Sequence, residues 1–263
     1  MSNFEAWLWG FLLLVALPVL SVGCALVVRR VVGNEVLARH NDVAGFIYAV
    51  VGVVYAVLLG FSAIIVWEQF RQAEEGVEQE ANELADLYRN AQVFPPQVRA
   101  QIAARVRAYT QLVVEKEWPA MAVGKSSPET WQAYNELWRT YQEFTPQDDH
   151  QHTWYTESIE RLNSLGDQRR MRLLSVRSGV PKVIWAVLVG AGVVTIGFSL
   201  FFGTRNIRAH ALMTACVALT IGAVLFSILA LEHPFAGISR VDPDAFHQVV
   251  EIVDMLSQSE AAQ

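Results

Sequence analysis

Residues 43–67 read VAGFIYAVVGVVYAVLLGFSAIIVW, a run without one acidic, basic or histidine side chain. A helix climbs about 1.5 Å per residue, so about 20 apolar residues cross the roughly 30 Å of bilayer hydrocarbon. This run is long enough. Three others match it, because residues 7–28, 183–204 and 211–231 also lack Asp, Glu, Lys and Arg. The expected spans are therefore about 6–28, 43–67, 183–204 and 209–231, and the expected class is an all-α integral membrane protein with four transmembrane helices. The first run lacks a basic start and a small-residue cleavage site before Arg29 and Arg30, and reads as a retained span rather than a leader.

Working outward, the spans pair into two hairpins, residues 1–67 and 183–231, in a 2+2 arrangement. A polar insert, 68–182, lies between spans two and three, and a tail, 232–263, follows span four. Whole-chain values, 53% hydrophobic residues and a formal net charge of -6, average these unlike parts. Most charges fall in the insert. Its first stretch carries Glu68, Glu74, Glu75, Glu78, Glu80, Glu83 and Asp86 against Arg71 alone, a surface that would repel nucleic-acid phosphates. Cys24 and Cys216 lie inside spans and read as small apolar packers.

The insert has the pattern of a helical bundle. No proline occurs between Trp67 and Pro95, while Phe70, Ala73, Val77, Ala81, Leu84 and Leu87 recur at threes and fours. That spacing predicts one helix leaving the membrane from span two, with its acidic face in water. A second helix is expected over about 97–118, stopped by Pro119. A third opens at Ser127-Pro128-Glu129 and closes at Pro146, and a fourth runs over about 150–178. The tail shows a short amphipathic helix with Phe246, Val249, Val250, Ile252, Val253 and Leu256.

Four spans put the N-terminus, insert and tail on one side and the two short loops on the other. Trp7, Trp9, Trp67 and Trp185 all fall at the insert-side boundary, where indoles settle. The short loops hold Arg29, Arg30, Arg39, Arg205 and Arg208 against Glu35 and Asp42, which places them in the cytoplasm and the insert outside it. Arg169, Arg170, Arg172, Arg177 and Lys182, beside span three, pull the other way.

Ionisable groups are absent from the span interiors, which argues against proton-coupled transport, since carriers of protons and ions must be ionisable. Span two instead offers Tyr48, Gly52, Tyr55, Leu59, Ser62 and Val66 at helical spacing, with Phe61 beside them. Around a symmetry axis such a stripe lines a narrow pore gated by dewetting; within one subunit it is a packing face. Asn41 and Asp42 start the second span, either attracting an anion to free helix amides or simply capping the helix. Glu232 and His233 stand at the mouth of span four, and with Glu68 at the exit of span two they form a candidate gate or pH sensor, or else a plain helix terminus. Asp148-Asp149-His150-Gln151-His152 matches no metal-site spacing and reads as a solvated loop. No nucleophile elbow, phosphate loop or cofactor motif occurs, so no enzyme, cofactor or metal is expected.

Several segments resemble one family. His40-Asn41-Asp42-Val43-Ala44-Gly45-Phe46, then residues 51–61 and Val66-Trp67-Glu68-Gln69-Phe70, are similar to the bacterial bestrophin-like membrane proteins, formerly a domain of unknown function. The likeness extends through Glu117-Trp118-Pro119-Ala120 and Arg161-Leu162-Asn163 to His233-Pro234-Phe235. The resemblance implies an oligomeric anion channel in a bacterial inner membrane, with four spans per subunit and the second lining the pore. By that likeness the neck lies at Leu58-Leu59-Gly60-Phe61, pointing to Leu59, Phe61 and Ser62. Bestrophins keep the inter-span domain in the cytosol, the reverse of the charge reading, and nothing here matches their calcium clasp. The leading expectation is a homo-oligomeric channel in the lipid bilayer passing small inorganic ions, anions first; the alternative is a non-conducting anchor or envelope sensor whose insert binds a partner.

Overall fold

The computed structural model describes residues 3–261, with side chains described over 4–255. Every regular element among them is helical. The first span is α1 (Asn3–Phe11), a π turn (Leu12–Ala16) and α2 (Leu17–Val32); a short α3 (Asn34–Ala38) leads to α4 (Asn41–Asn90). Then follow α5 (Pro96–Leu112), a second π turn (Val113–Glu117), α6 (Trp118–Met121), α7 (Pro128–Glu143) and α8 (Asp149–Ser175). The chain ends with α9 (Lys182–Ser199), α10 (Ile207–Leu231) and α11 (Asp244–Ala261). Four helical stretches, Phe4–Val32, Asn41–Val93, Lys182–Ser199 and Ile207–Leu231, are long and apolar enough to cross a bilayer.

Local sequence explains where these helices start, bend and stop. Ser127 caps α7, its hydroxyl accepting from the Thr130 N–H at 3.1 Å, and Asp148 caps α8 by accepting from Gln151 at 2.7 Å. Proline has no N–H and its ring crowds the carbonyl four residues back. Each π turn ends just before such a proline, Pro18 in the first span and Pro119 after α5. The wider turn accommodates the ring, so Pro119 does not end the helix and the chain stays helical to Met121.

Two compact units divide the chain. One comprises the chain up to Gln69 together with Gly179–His233; the other takes in Phe70–Ser178 and the segment from Pro234 onward. In the first, α10 packs along α2 and the first π turn, and also against α9. Gly222 permits the first contact, because a β-carbon there would strike the Leu13 carbonyl. Tyr55, Leu59 and Val66 of α4 join Leu188, Ile196, Ile221 and Leu225 in the buried cluster. Most other large apolar side chains of this unit face outward, as helices solvated by lipid require. Cys24 and Cys216 also face outward, unlike the packing role their burial in hydrocarbon suggested.

The second unit has a core of its own. Ala73, Val77, Leu84 and Leu87 of α4 meet Ile102, Val106 and Tyr109 of α5, Leu137 and Tyr141 of α7, and Leu162 and Leu165 of α8. The tail contributes as well: Phe235 and Phe246 stand edge-on to Trp118, with ring centres 5.5 and 5.8 Å away. Leu256 lies beyond the described side chains.

At the centre of this core sits a group of buried charges. Glu80 is fully enclosed, where the acidic run of α4 suggested a water-facing carboxylate. Arg172 donates to Glu80 from Nε at 2.6 Å and from Nη2 at 2.9 Å, and to Glu117 at 2.8 Å. Arg169 adds two bonds to Glu117, and the Tyr109 hydroxyl donates to Glu80 at 2.6 Å. Trp118 and Phe246 flank the Arg172 guanidinium at 5.6 and 5.7 Å, and Trp131 lies 5.4 Å from Arg169. Burial alone works against the charge on Arg172, but the Glu80 carboxylate and its hydrogen bonds outweigh it and push its pKa up.

Removing one partner of a buried pair leaves the others uncompensated, at a cost of about 3–5 kcal/mol. Arg172→Ala is expected to destabilise the second unit by that amount in denaturant unfolding followed by tryptophan fluorescence. Arg139→Ala, which loses only an exposed pair with Glu136, should cost under about 1 kcal/mol. Equal effects of the two substitutions would contradict the buried network. Burial, then the nearby Glu80 charge, holds the Tyr109 phenol well above its usual value of 10.0. A raised acid loses its stabilising contribution as pH climbs past the unfolded value. Stability should therefore fall above pH ~10, less steeply in Tyr109→Phe, and identical slopes for the two proteins would contradict this assignment.

Candidate functional site

The second span has two unlike faces. Its inward face carries Tyr55, Leu59 and Val66, all buried in the core of the first unit. Tyr55 lies against Gly192 and Ile221, its hydroxyl without a hydrogen-bond partner. Tyr48, half-buried, stacks on Phe198 at 5.9 Å and meets Phe202 edge-on at 5.4 Å. Gly52 and Ser62 are half-buried on the margins, the Ser62 hydroxyl donating to the Leu58 carbonyl at 2.9 Å. Within the first unit Tyr55, Leu59 and Val66 of the stripe are packed, while Tyr48, Gly52 and Ser62 lie partly exposed at its margins.

The opposite face is bare. Phe46, Val50, Val53, Val57, Phe61 and Ile64 follow one another at threes and fours and are exposed, from 51% at Val57 to 79% at Phe46. Of the residues singled out in sequence, only Phe61, at 64%, stands on this side. Rotation about the helix axis, invisible to a count of apolar residues, separates it from Leu59.

The short-loop end of the first unit is tied together. Asn41 was a candidate cap or anion attractor, yet its side-chain amide pairs with Gly203 in both directions: Nδ2 donates to the Gly203 carbonyl at 2.7 Å and Oδ1 accepts from its N–H at 3.0 Å. The His40 carbonyl takes the helical bond from Ala44 instead. A β-carbon on Gly203 would stand 2.8 Å from backbone atoms of Leu37 and Ala38, so only glycine lets the loops approach this closely. Arg29 donates to the Thr204 carbonyl at 2.9 Å, and the buried His210 ring lies 3.1 Å from the Ser199 carbonyl. Asp42 is exposed in the first turn of α4, where a negative charge suits the positive helix end. These contacts clasp the two short loops together, with the Asn41 amide spent on Gly203.

At the other end, Glu232 is buried and engaged. Its carboxylate accepts from the Val180 N–H at 2.9 Å and from the Trp185 indole at 3.1 and 3.2 Å, tying the end of α10 to the start of α9. Two neutral donors, the Val180 N–H and the Trp185 indole N–H shared between both oxygens, satisfy an otherwise costly buried charge. Glu68 and His233 are half-buried. Trp185 thus spends its N–H on a side chain, whereas Trp7, Trp9 and Trp67 stay exposed.

Comparison with known proteins matches this architecture. A bestrophin-like domain model covers residues 15–246. No curated protein sequence matches the chain. Among solved structures, a point variant of a bacterial bestrophin homologue from Klebsiella pneumoniae superposes with a TM-score of 0.72 at 13% identity, covering 92% of this chain and 98% of the other. A second variant gives 0.69 at 14% identity over 91% and 98%, and a zinc-phased crystal structure of such a homologue from the same organism gives 0.65 at 14% over 90% and 95%. Identity this low speaks to fold alone, while the domain match spans most of the sequence. With four apolar spans and an all-helical fold, the chain belongs to the bestrophin-like family.

Proposed function

We propose that copies of this chain assemble around an axis with the bare face of α4 turned inward, forming a passive pore in a bacterial inner membrane. The observation that carries this reading is the division of α4 into a packed face and an apolar face left open along the whole span. Val53, Val57 and Phe61, one turn apart each, then form successive apolar rings, and such rings gate by shedding water. Leu59, Tyr55 and Val66 hold α4 against α9 and α10 from behind. Small inorganic ions are the conducted class, with anions first among them as the family resemblance implies; constriction and helix dipoles select, since the span interior carries no fixed charge. Glu232 serves as a tether, and regulation by Glu68 or His233 is no part of the reading.

Sidedness follows from charge. Of the basic residues beside α9, Arg169 and Arg172 are buried against Glu117 and Glu80, so they do not count as free charges held back at the membrane. The remaining bias favours the Arg-rich short loops as cytoplasmic and the helical insert as extracytoplasmic.

In planar bilayers the purified protein should pass current without an energy source, with a reversal potential that follows the anion gradient. Phe61→Ala should raise the flux severalfold by widening a ring, while Leu59→Ala weakens folding and leaves the flux of assembled channels unchanged. A silent, monomeric preparation would favour the competing reading, an anchor or envelope sensor whose insert binds a partner. A reversal potential following cations would overturn the anion assignment alone.

For sidedness, Ser126→Cys and Thr204→Cys in a background lacking Cys24 and Cys216 should differ toward a membrane-impermeant thiol reagent in whole cells. Ser126→Cys is expected to react and Thr204→Cys to stay protected until the cells are opened. The reverse pattern contradicts the charge argument.

A further inference from the structure

α8 turns two unlike faces outward and inward over its last turns. Leu162, Leu165, Arg169 and Arg172 point into the core, while Arg170, Met171 and Leu174 point out. Met171 and Leu174 are 58% and 63% exposed, unusual for large apolar side chains on a helix that otherwise packs in a water-soluble bundle. Beside them a groove of about 330 Å³ runs between this helix end and the turn after α6. Leu173, Leu174 and Val176 line it together with Gly124 and Ser126, and its charged members are Lys125, Arg170 and Arg177. All three charged side chains are basic and exposed; Arg170 also pairs with exposed Asp167, one turn earlier. The exposed Val123 extends the apolar part on the side of the turn.

Chain connectivity keeps Arg177, at one end of this groove, close to the start of the third span. The few residues from Arg177 to Lys182, where the third span begins, reach at most about 18 Å even if fully extended. A surface so placed, apolar and basic together, has the composition of one that rests on anionic lipid: hydrocarbon side chains enter the boundary and cations meet phosphate.

We infer that the groove formed by Lys125, Arg170, Arg177, Leu173, Leu174 and Val176, with Met171 beside it, is a docking site for the headgroup of an anionic phospholipid. Charge complementarity selects the lipid, because every charged side chain lining the groove is positive. Arg170 and Arg177 reach phosphate as planar forks and Lys125 as a compact cation, while the exposed apolar residues lie against glycerol and upper acyl chain. The site requires the four-span placement but is independent of conduction.

The test uses the full chain in nanodiscs, reading hydrogen exchange in the turn over residues 122–127 and in residues 176–178. Exchange there should slow severalfold in discs containing phosphatidylglycerol relative to discs of phosphatidylcholine. Lys125→Gln, Arg170→Gln and Arg177→Gln should each weaken the response to added phosphatidylglycerol about fivefold, and the triple variant should lose it. Equal exchange in the two lipids, or a triple variant that still responds, would overturn the site. Slowing by inorganic phosphate in phosphatidylcholine discs would overturn the lipid as its occupant. Failure of the chain to enter nanodiscs at all would instead sink the four-span placement, a separate outcome.

Discussion

In α4 each backbone N–H from the second turn onward finds its carbonyl one turn back along the same helix, and this lets one segment cross hydrocarbon and continue in water. Hydrocarbon offers no other partner for those amides. The helix does not stop at Trp67 but continues to Asn90. Residues that bury Tyr55, Leu59 and Val66 on one side necessarily leave Phe46, Val50, Val53, Val57, Phe61 and Ile64 on the other. The proposed pore surface is therefore a consequence of packing, with no polar residue needed to define it.

The buried charges act on the water-exposed part of the same helix. A buried ion pair adds little net stability over apolar residues of similar size, since both ions must leave water. What it does is penalise misalignment. Any register of α4 against α8 that separates Glu80 from Arg172 strands the Glu80 carboxylate inside a core, while Glu117, at the end of the π turn before Pro119, fixes that turn against α8 through Arg169 and Arg172. Specification is thus the role we assign to the network, and the aromatic rings around both guanidinium groups keep water from relieving the penalty.

The charge-free runs of the spans were legible because hydrocarbon excludes ions regardless of tertiary detail, and the stop at Pro95 and the start at Ser127 because proline and helix caps act locally. The clasp was not. Asn41 and Gly203 lie far apart in the chain, and no local pattern announces that a side-chain amide will bond a distant peptide group. Glu80 carried a signal that was passed over: it continues the spacing of Ala73, Val77, Leu84 and Leu87, so it stands at a core position of the heptad, as Arg172 does after Leu162, Leu165 and Arg169. Opposite charges at core positions of two helices are a readable pair. The stripe on span two was visible as a stripe, but periodicity fixes only that a face exists. Whether it meets its own subunit, another copy or lipid depends on where α9 and α10 fold, which no spacing within span two encodes.

The central claim is that the bare side of α4 faces its counterparts in neighbouring copies. Cysteine placed at single positions of a protein lacking Cys24 and Cys216, treated in membranes with a short bifunctional maleimide, tests it most directly. Val57→Cys should yield covalent dimers, whereas Leu59→Cys, enclosed in its own subunit, should remain monomeric. Monomers alone from Val57→Cys, or equal dimer yields from both positions, would contradict the account.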